Sequence, residues 1–206
     1  MKLRKYLMNM ERKMKMSKFK ERAFAYIIDM IIVSLAFSFI TIFFNTSSNY
    51  KKLSQELNDV TNSFVNEEIN LDTYIHKQAD INHDMDKEII MFNVLNGFLL
   101  VGYFVILPYY WNGQTVGKRV MGINIISNEG TLTFNQLIIR ALIIDGLGSL
   151  IILLSLVYIL TGFPYYIVNM LLNALETILT IISIIFIIKR RDHRAVHDLL
   201  SGTKVI

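Results

Sequence analysis

Four apolar runs decide what this chain can fold into: Ala23–Phe44, Ile89–Trp111, about Leu137–Leu160, and Pro164–Ile188. A hydrocarbon core of about 30 Å takes roughly 20 helical residues to cross, and a helix satisfies its own backbone polar groups in lipid. The expected fold class is therefore an all-α membrane protein with four transmembrane helices. Hydrophobic residues make up 53% of the 206, which agrees with that class. The first run exceeds the roughly 7–15 residues of a signal-peptide core and no small-x-small site follows it, so it reads as a retained anchor.

Charge sorts along the chain and so predicts orientation. Residues 1–22 hold nine Lys/Arg against Glu11 and Glu21, whereas 45–88 hold four Lys against nine Asp/Glu. Lys118 and Arg119 lie in the 112–136 connection, and Lys189, Arg190, Arg191, Arg194 and Lys204 crowd the 189–206 tail. Basic flanks remain on the cytoplasmic side, which predicts N-in and C-in with 45–88 outside. The pI near 9.2 does not signal nucleic acid, because the positive charge follows topology and forms no binding face. With no cysteine, disulfides and thiolate chemistry are excluded. No nucleophile–base pair or cofactor loop stands out, so neither an enzyme nor a cofactor is expected.

The connections differ in character. Leu53, Leu57, Val60 and Phe64 recur at helical spacing and predict an amphipathic helix in the extracellular insert, with a shorter one over Asp72–Ala79. Asn82–Asp84 reads as a cap ahead of the second span. The stretch Gly113–Gly122 is no phosphate loop, since three residues separate Gly113 from Gly117 and Arg119 follows Lys118. It reads instead as an interfacial helix with Lys118 and Arg119 near headgroups. After it, Ile123–Ser127 and Thr131–Phe134 predict two short strands about a turn.

Three blocks in this order resemble the RDD family of bacterial membrane proteins. They are Arg22-Ala-Phe-Ala-Tyr-Ile-Ile-Asp29, the run Gly113, Gln114, Thr115, Val116, Gly117, Lys118 through Gly122, and His197-Asp198 with Gly202 and Thr203. The resemblance implies that the Arg and two Asp of the family name are Arg22, Asp29 and Asp198. It also implies a single membrane domain across 1–206 in the bacterial cell membrane, and sodium/proton antiport, which has been proposed for some members. The long acidic insert departs from the family pattern, which has a short link there.

Polar residues inside the runs point the same way without the family. A carboxylate deep in lipid costs on the order of 3 kcal/mol and survives by facing a partner, a cavity or an ion. Asn169, Asn173, Glu176, Thr180 and Ser183 fall within about 80° of one another at 100° per residue. With Asn93, Asn96, Asp29 and Asp145 they suggest a polar column, flanked by Arg22 and Arg140 as charge partners. Arg22–Asp29 within one helix and Arg140–Asp29 are both open as pairs. The plain reading of these side chains is interhelical glue, worth about 0.6–2 kcal/mol each. His193 and His197 stand one turn apart, but a helix-end contact, with His197-Asp198 bonding back to the inner-loop backbone, suits them better than metal. His76, Asp80 and His83 are expected to be solvated.

The expected function is proton-linked movement of Na⁺ or K⁺ through this column. The rival is an accessory membrane protein that holds an envelope partner through 45–88. A homo-oligomer is compatible with either.

Overall fold

The computed structural model describes residues 17–43 and 47–206. The basic segment up to residue 16 and the junction 44–46 lie outside the described residues. Nine helices and one small sheet are described. They are α1 (Phe19–Phe43), α2 (Ser48–Val65), α3 (Leu71–Glu88), α4 (Ile90–Tyr110), α5 (Val116–Val120), β1 (Ile125–Ser127), α6 (Phe134–Ile144), α7 (Leu147–Leu156), α8 (Gly162–Lys189), α9 (Val196–Leu200) and β2 (Thr203–Val205).

Among the described residues, three helices are long and apolar enough to cross a membrane: Phe19–Ile42, Ile90–Tyr110 and Gly162–Lys189. The expected third span is not one straight helix. It breaks into α6 and α7, which bend by 73°. The break falls at Asp145-Gly146, where Gly146 takes φ +75, a conformation that ends a helix and that glycine alone adopts without steric cost. α4 contains a π turn over Gly102–Ile106, and Leu107 N–H reaches back to Gly102 O. Pro108 follows at once. It has no N–H and its ring would press on the carbonyl one turn earlier, and a widened turn relieves that clash.

Packing divides the described residues into two compact units, 17–35, 99–147 and 176–206 in the first, and 36–43, 47–98 and 148–175 in the second. In the first unit, β1 pairs antiparallel with β2, with Ile125 opposite Val205 and Ser127 opposite Thr203. The expected local pairing with Thr131–Phe134 does not form. Thr133 and Gln136 instead make a reciprocal capping box that starts α6, with Gln136 N–H on Thr133 Oγ1 at 3.4 Å and Thr133 N–H on Gln136 Oε1 at 3.1 Å. Alternate residues of both strands are buried, so the tail strand closes over this unit.

In the second unit, α2 and α3 pack on each other, and Phe64 stacks on Tyr74 with ring centroids 4.5 Å apart. Ser47 Oγ and Asn49 Nδ2 both donate to the Glu88 carboxylate, at 2.8 and 2.6 Å, which ties the two ends of the pair together. α3 extends well beyond the expected Asp72–Ala79. Asn82–Asp84 is therefore helix interior and not a cap; Asn70 caps α3, accepting from Thr73 N–H at 2.8 Å. His76 and Asp80 are exposed, as expected, but His83 is buried, its Nε2 2.9 Å from Val157 O. Beside it, Tyr165 donates to Asp86 at 2.9 Å, and burial raises the Asp86 carboxyl above its usual range despite that bond.

Candidate functional site

Asp29 lies nearly three turns into α1 and is fully buried. Its charge is met by neutral donors more than by any cation. Tyr103 Oη–H and Gly117 N–H donate to Oδ1, each at 2.7 Å, and Thr115 Oγ1–H donates to Oδ2 at 2.6 Å. Lys118 Nζ stands 3.7 Å from Oδ2. Neither arginine expected as its partner is in contact with it. Thr115 also caps α5, accepting from Lys118 N–H at 3.4 Å, so one hydroxyl fixes both the helix start and the carboxylate.

Gly117 explains why the first two sequence blocks travel together. A Cβ there would sit 2.1 Å from Ala25 O and 2.8 Å from Asp29 Oδ1. Only glycine lets α5 approach α1 closely enough for its N–H to reach the carboxylate. Gly113, Gly122 and Gly202 take positive φ at the surrounding turns, and Gln114 Nε2 holds Ile123 O at 3.1 Å. Lys118 does not extend to the surface as an interfacial residue would. Its side chain is 17% exposed, and burial lowers its ammonium below the usual range while Asp29 opposes that shift.

The second carboxylate gathers both arginines. Arg22 Nη1 donates to Asp198 Oδ2 at 2.6 Å, and Arg140 Nη1 donates to Oδ1. Ala195 N–H adds a bond to Oδ2 at 3.0 Å, which starts α9. Arg22 also donates from Nε to Ser17 Oγ at 2.8 Å and from Nη2 to Val205 O at 3.2 Å. Arg140 Nη1 reaches Thr203 Oγ1 at 2.7 Å, and Thr203 meets Ser201 Oγ at 2.8 Å. Burial works to raise the Asp198 carboxyl, and the neighbouring arginines outweigh it and hold it well below the usual range. Burial, reinforced by Arg140, pushes the His197 imidazole down to about 3, so the ring is neutral at physiological pH. His193 bonds Ile187 O through Nδ1 at 2.7 Å. The expected bonds from His197-Asp198 to the inner-loop backbone do not form among the described residues: His197 Nδ1 has no partner, and the Asp198 carboxylate is taken by Arg22, Arg140 and Ala195.

A cavity of about 280 Å³ adjoins this network. Arg22, Lys118, Arg140, Asp145 and His197 line it together with Ile27, Phe104, Ile144, Thr180, Ser183 and Ile184. Asp145 terminates α6, the end at which the helix dipole disfavours an anion. Of the expected polar stripe on α8, Thr180 and Ser183 reach the cavity wall. Glu176 is half-buried in the first unit. Asn169 and Asn173 belong to the second unit and bond to each other along their own helix, Asn173 Nδ2 to Asn169 Oδ1 at 2.7 Å. Tyr103 and Ser17 were not expected here, and Thr115 was expected only as a member of the central motif block. Its cap-type side chain just ahead of a short helix is a further signal in the sequence.

Helices of membrane-crossing length around a buried cluster of arginines, lysine and aspartates define a helical membrane protein. A model of the RDD family matches residues 16–202, and the chain belongs to that family. It is also similar to the uncharacterized protein YckC of Bacillus subtilis (strain 168), at 33% identity over 104 residues. That match covers 50% of this chain and 53% of YckC, so the chain spans about half the length of this relative. No solved structure matches the chain.

Proposed function

We propose proton-linked exchange of a monovalent cation, with Asp145 as the carboxylate that the two ions share. A charge balance supports this reading. Arg22, Lys118 and Arg140 supply three positive charges, and Asp29, Asp145 and Asp198 supply three negative ones, with His197 neutral. Asp29 and Asp198 are each filled by three close donors and are structural. Asp145 has no recorded hydrogen bond to its carboxylate among the described residues, lines the cavity and stands at a helix C-terminus. A proton or an Na⁺ there leaves the cluster with the same net charge, so the two compete for one place. Mutually exclusive occupancy of one carboxylate is what obligatory exchange requires.

The test is a proton flux in proteoliposomes of purified full-length chain. An Na⁺ or K⁺ pulse should collapse an imposed pH gradient, and Asp145→Asn should abolish the effect while leaving the protein folded. Glu176→Gln tests the fourth-span residue in the same assay. A parent protein that moves no Na⁺, K⁺ or H⁺ in either gradient direction overturns the reading. One observation favours the accessory role: Val65 and Leu71, at the turn between α2 and α3, are 71% and 58% exposed. That role predicts loss of a co-purifying partner when 56–70 are deleted, with Asp145→Asn silent.

A further inference from the structure

Two buried side-chain atoms in the described structure have no hydrogen-bond partner, Ser183 Oγ and His197 Nδ1. Ser183 is 3% exposed and His197 9%. Both residues line the same cavity. A buried polar atom without a partner is costly, so two of them on residues that line one cavity point to something that occupies it. The space exceeds what one water needs, about 10–15 Å³ by this kind of measure, and approaches the roughly 300 Å³ of small ligand pockets.

The lining states the chemistry of the occupant. One end carries hydrogen-bond donors: the Ser183 hydroxyl, the neutral His197 ring, the Lys118 ammonium and the Arg140 guanidinium, whose recorded bonds all leave from Nη1. Asp145, Tyr26 and Thr180 also border the space, and the rest of the wall is apolar, with Ile27, Phe104, Ile144 and Ile184 among it. Arg22 is already committed to Ser17, Asp198 and Val205. We propose that this cavity binds an anion-headed amphiphile, a hydrocarbon chain ending in phosphate or carboxylate, with the head on Arg140, Lys118, Ser183 and His197. A purely apolar guest would leave the donors unmet, and so would a lone cation on Asp145.

This inference goes beyond the exchange reading, because it assigns a ligand that stays bound. It also meets that reading at one point. With a proton or Na⁺ on Asp145 the cluster carries one net positive charge, and an anionic head restores neutrality. The amphiphile would therefore hold the loaded state.

The experiment uses delipidated full-length protein in neutral detergent, titrated with dioctanoyl phosphatidate, dioctanoyl phosphatidylcholine or inorganic phosphate. Binding is read by native mass spectrometry and by the shift in melting temperature. Phosphatidate should bind saturably at one equivalent, and Ser183→Val should weaken it about tenfold or more, as loss of a hydrogen bond to a charged group implies. Ile184→Trp, which fills the apolar end, should reduce it too. Ser183→Val should melt with the parent when no ligand is present, since its hydroxyl has no protein partner. Equal binding of phosphatidylcholine, or of phosphate alone, overturns the amphiphile. So does binding that both variants leave unchanged, or none at all. These results stand apart from proton flux, so the exchange reading and this one can fail separately.

Discussion

The heaviest burden on the fold falls on Asp198, and Asp198→Asn measures it. The carboxylate is fully buried, and the arginine side chains it pairs are 9% and 7% exposed. Removing one member of a buried ion pair costs about 3–5 kcal/mol, because the partner stays buried without compensation. Two arginines lose their counter-ion here, but Arg22 keeps Ser17 and Val205 and Arg140 keeps Thr203. The asparagine oxygen can still accept from Ala195. We therefore expect about 4 kcal/mol, against a total stability on the order of 5–15 kcal/mol. At roughly 2–4 °C per kcal/mol for a chain of this size, the melting midpoint should fall by about 8–16 °C. Arg140→Met alone should cost less, since Asp198 retains Arg22 and Ala195. The double variant should be less destabilised than the sum of the singles, with a coupling of about 2 kcal/mol. Circular dichroism in detergent across the four-protein cycle measures all of this. A cycle additive within about 0.5 kcal/mol, or an Asp198→Asn midpoint equal to the parent's, would show that the arginines do not depend on this carboxylate.

Three further outcomes are expected. Gly117→Ala should cost about 1–3 kcal/mol by forcing α5 off α1, since its Cβ would lie 2.1 Å from Ala25 O; a variant with parental melting refutes the close-approach argument. His197 is held at about 3 in the fold against an ordinary 6.5, so its stability contribution is complete above about pH 6.5 and is lost as pH falls toward 3. Near pH 5 that loss reaches about 2 kcal/mol, the lowered Asp198 adds to it below about pH 4, and a melting curve flat from about pH 7.5 to 5 contradicts the assignment. Cysteines at the exposed Asn58 and Asn128 should react differently with an impermeant reagent in intact cells, with labelling at 58 only; labelling at 128 instead reverses the orientation inferred from charge.

Hydropathy and the three motif blocks made the membrane-crossing helices and the family legible in the sequence, because span length and motif order are local properties. Charge pairing was not legible. Arg22 and Asp29 share a helix face, yet each found its partner in another element: Arg22 in a residue 176 positions away, Asp29 in donors from α4 and the α5 start. Sequence spacing ranks neighbours along one helix and says little about what folds against it. The strand at Ile125–Ser127 was visible, but its pairing was assigned to the next segment because a nearby turn is the cheaper closure; the tail won by burying alternate residues of both strands. The break at Asp145-Gly146 was hidden inside a run long enough to span, where glycines such as Gly146 and Gly148 are weak evidence of a helix end. His83 was buried by a contact with a carbonyl 74 residues away, which no local pattern announces.

The clamp on Asp198 also fixes an order of events. Arg22 precedes its counter-ion by 176 residues and Arg140 by 58. At about 5–20 residues per second of synthesis, Arg22 waits roughly 9–35 s before Asp198 exists. Throughout that interval the first helix must keep its guanidinium in water or among headgroups, and the β1 strand has no partner. Arrival of the tail ends both conditions in one step. A nascent chain that stops short of Asp198 and β2 therefore leaves two guanidiniums and a strand edge bare.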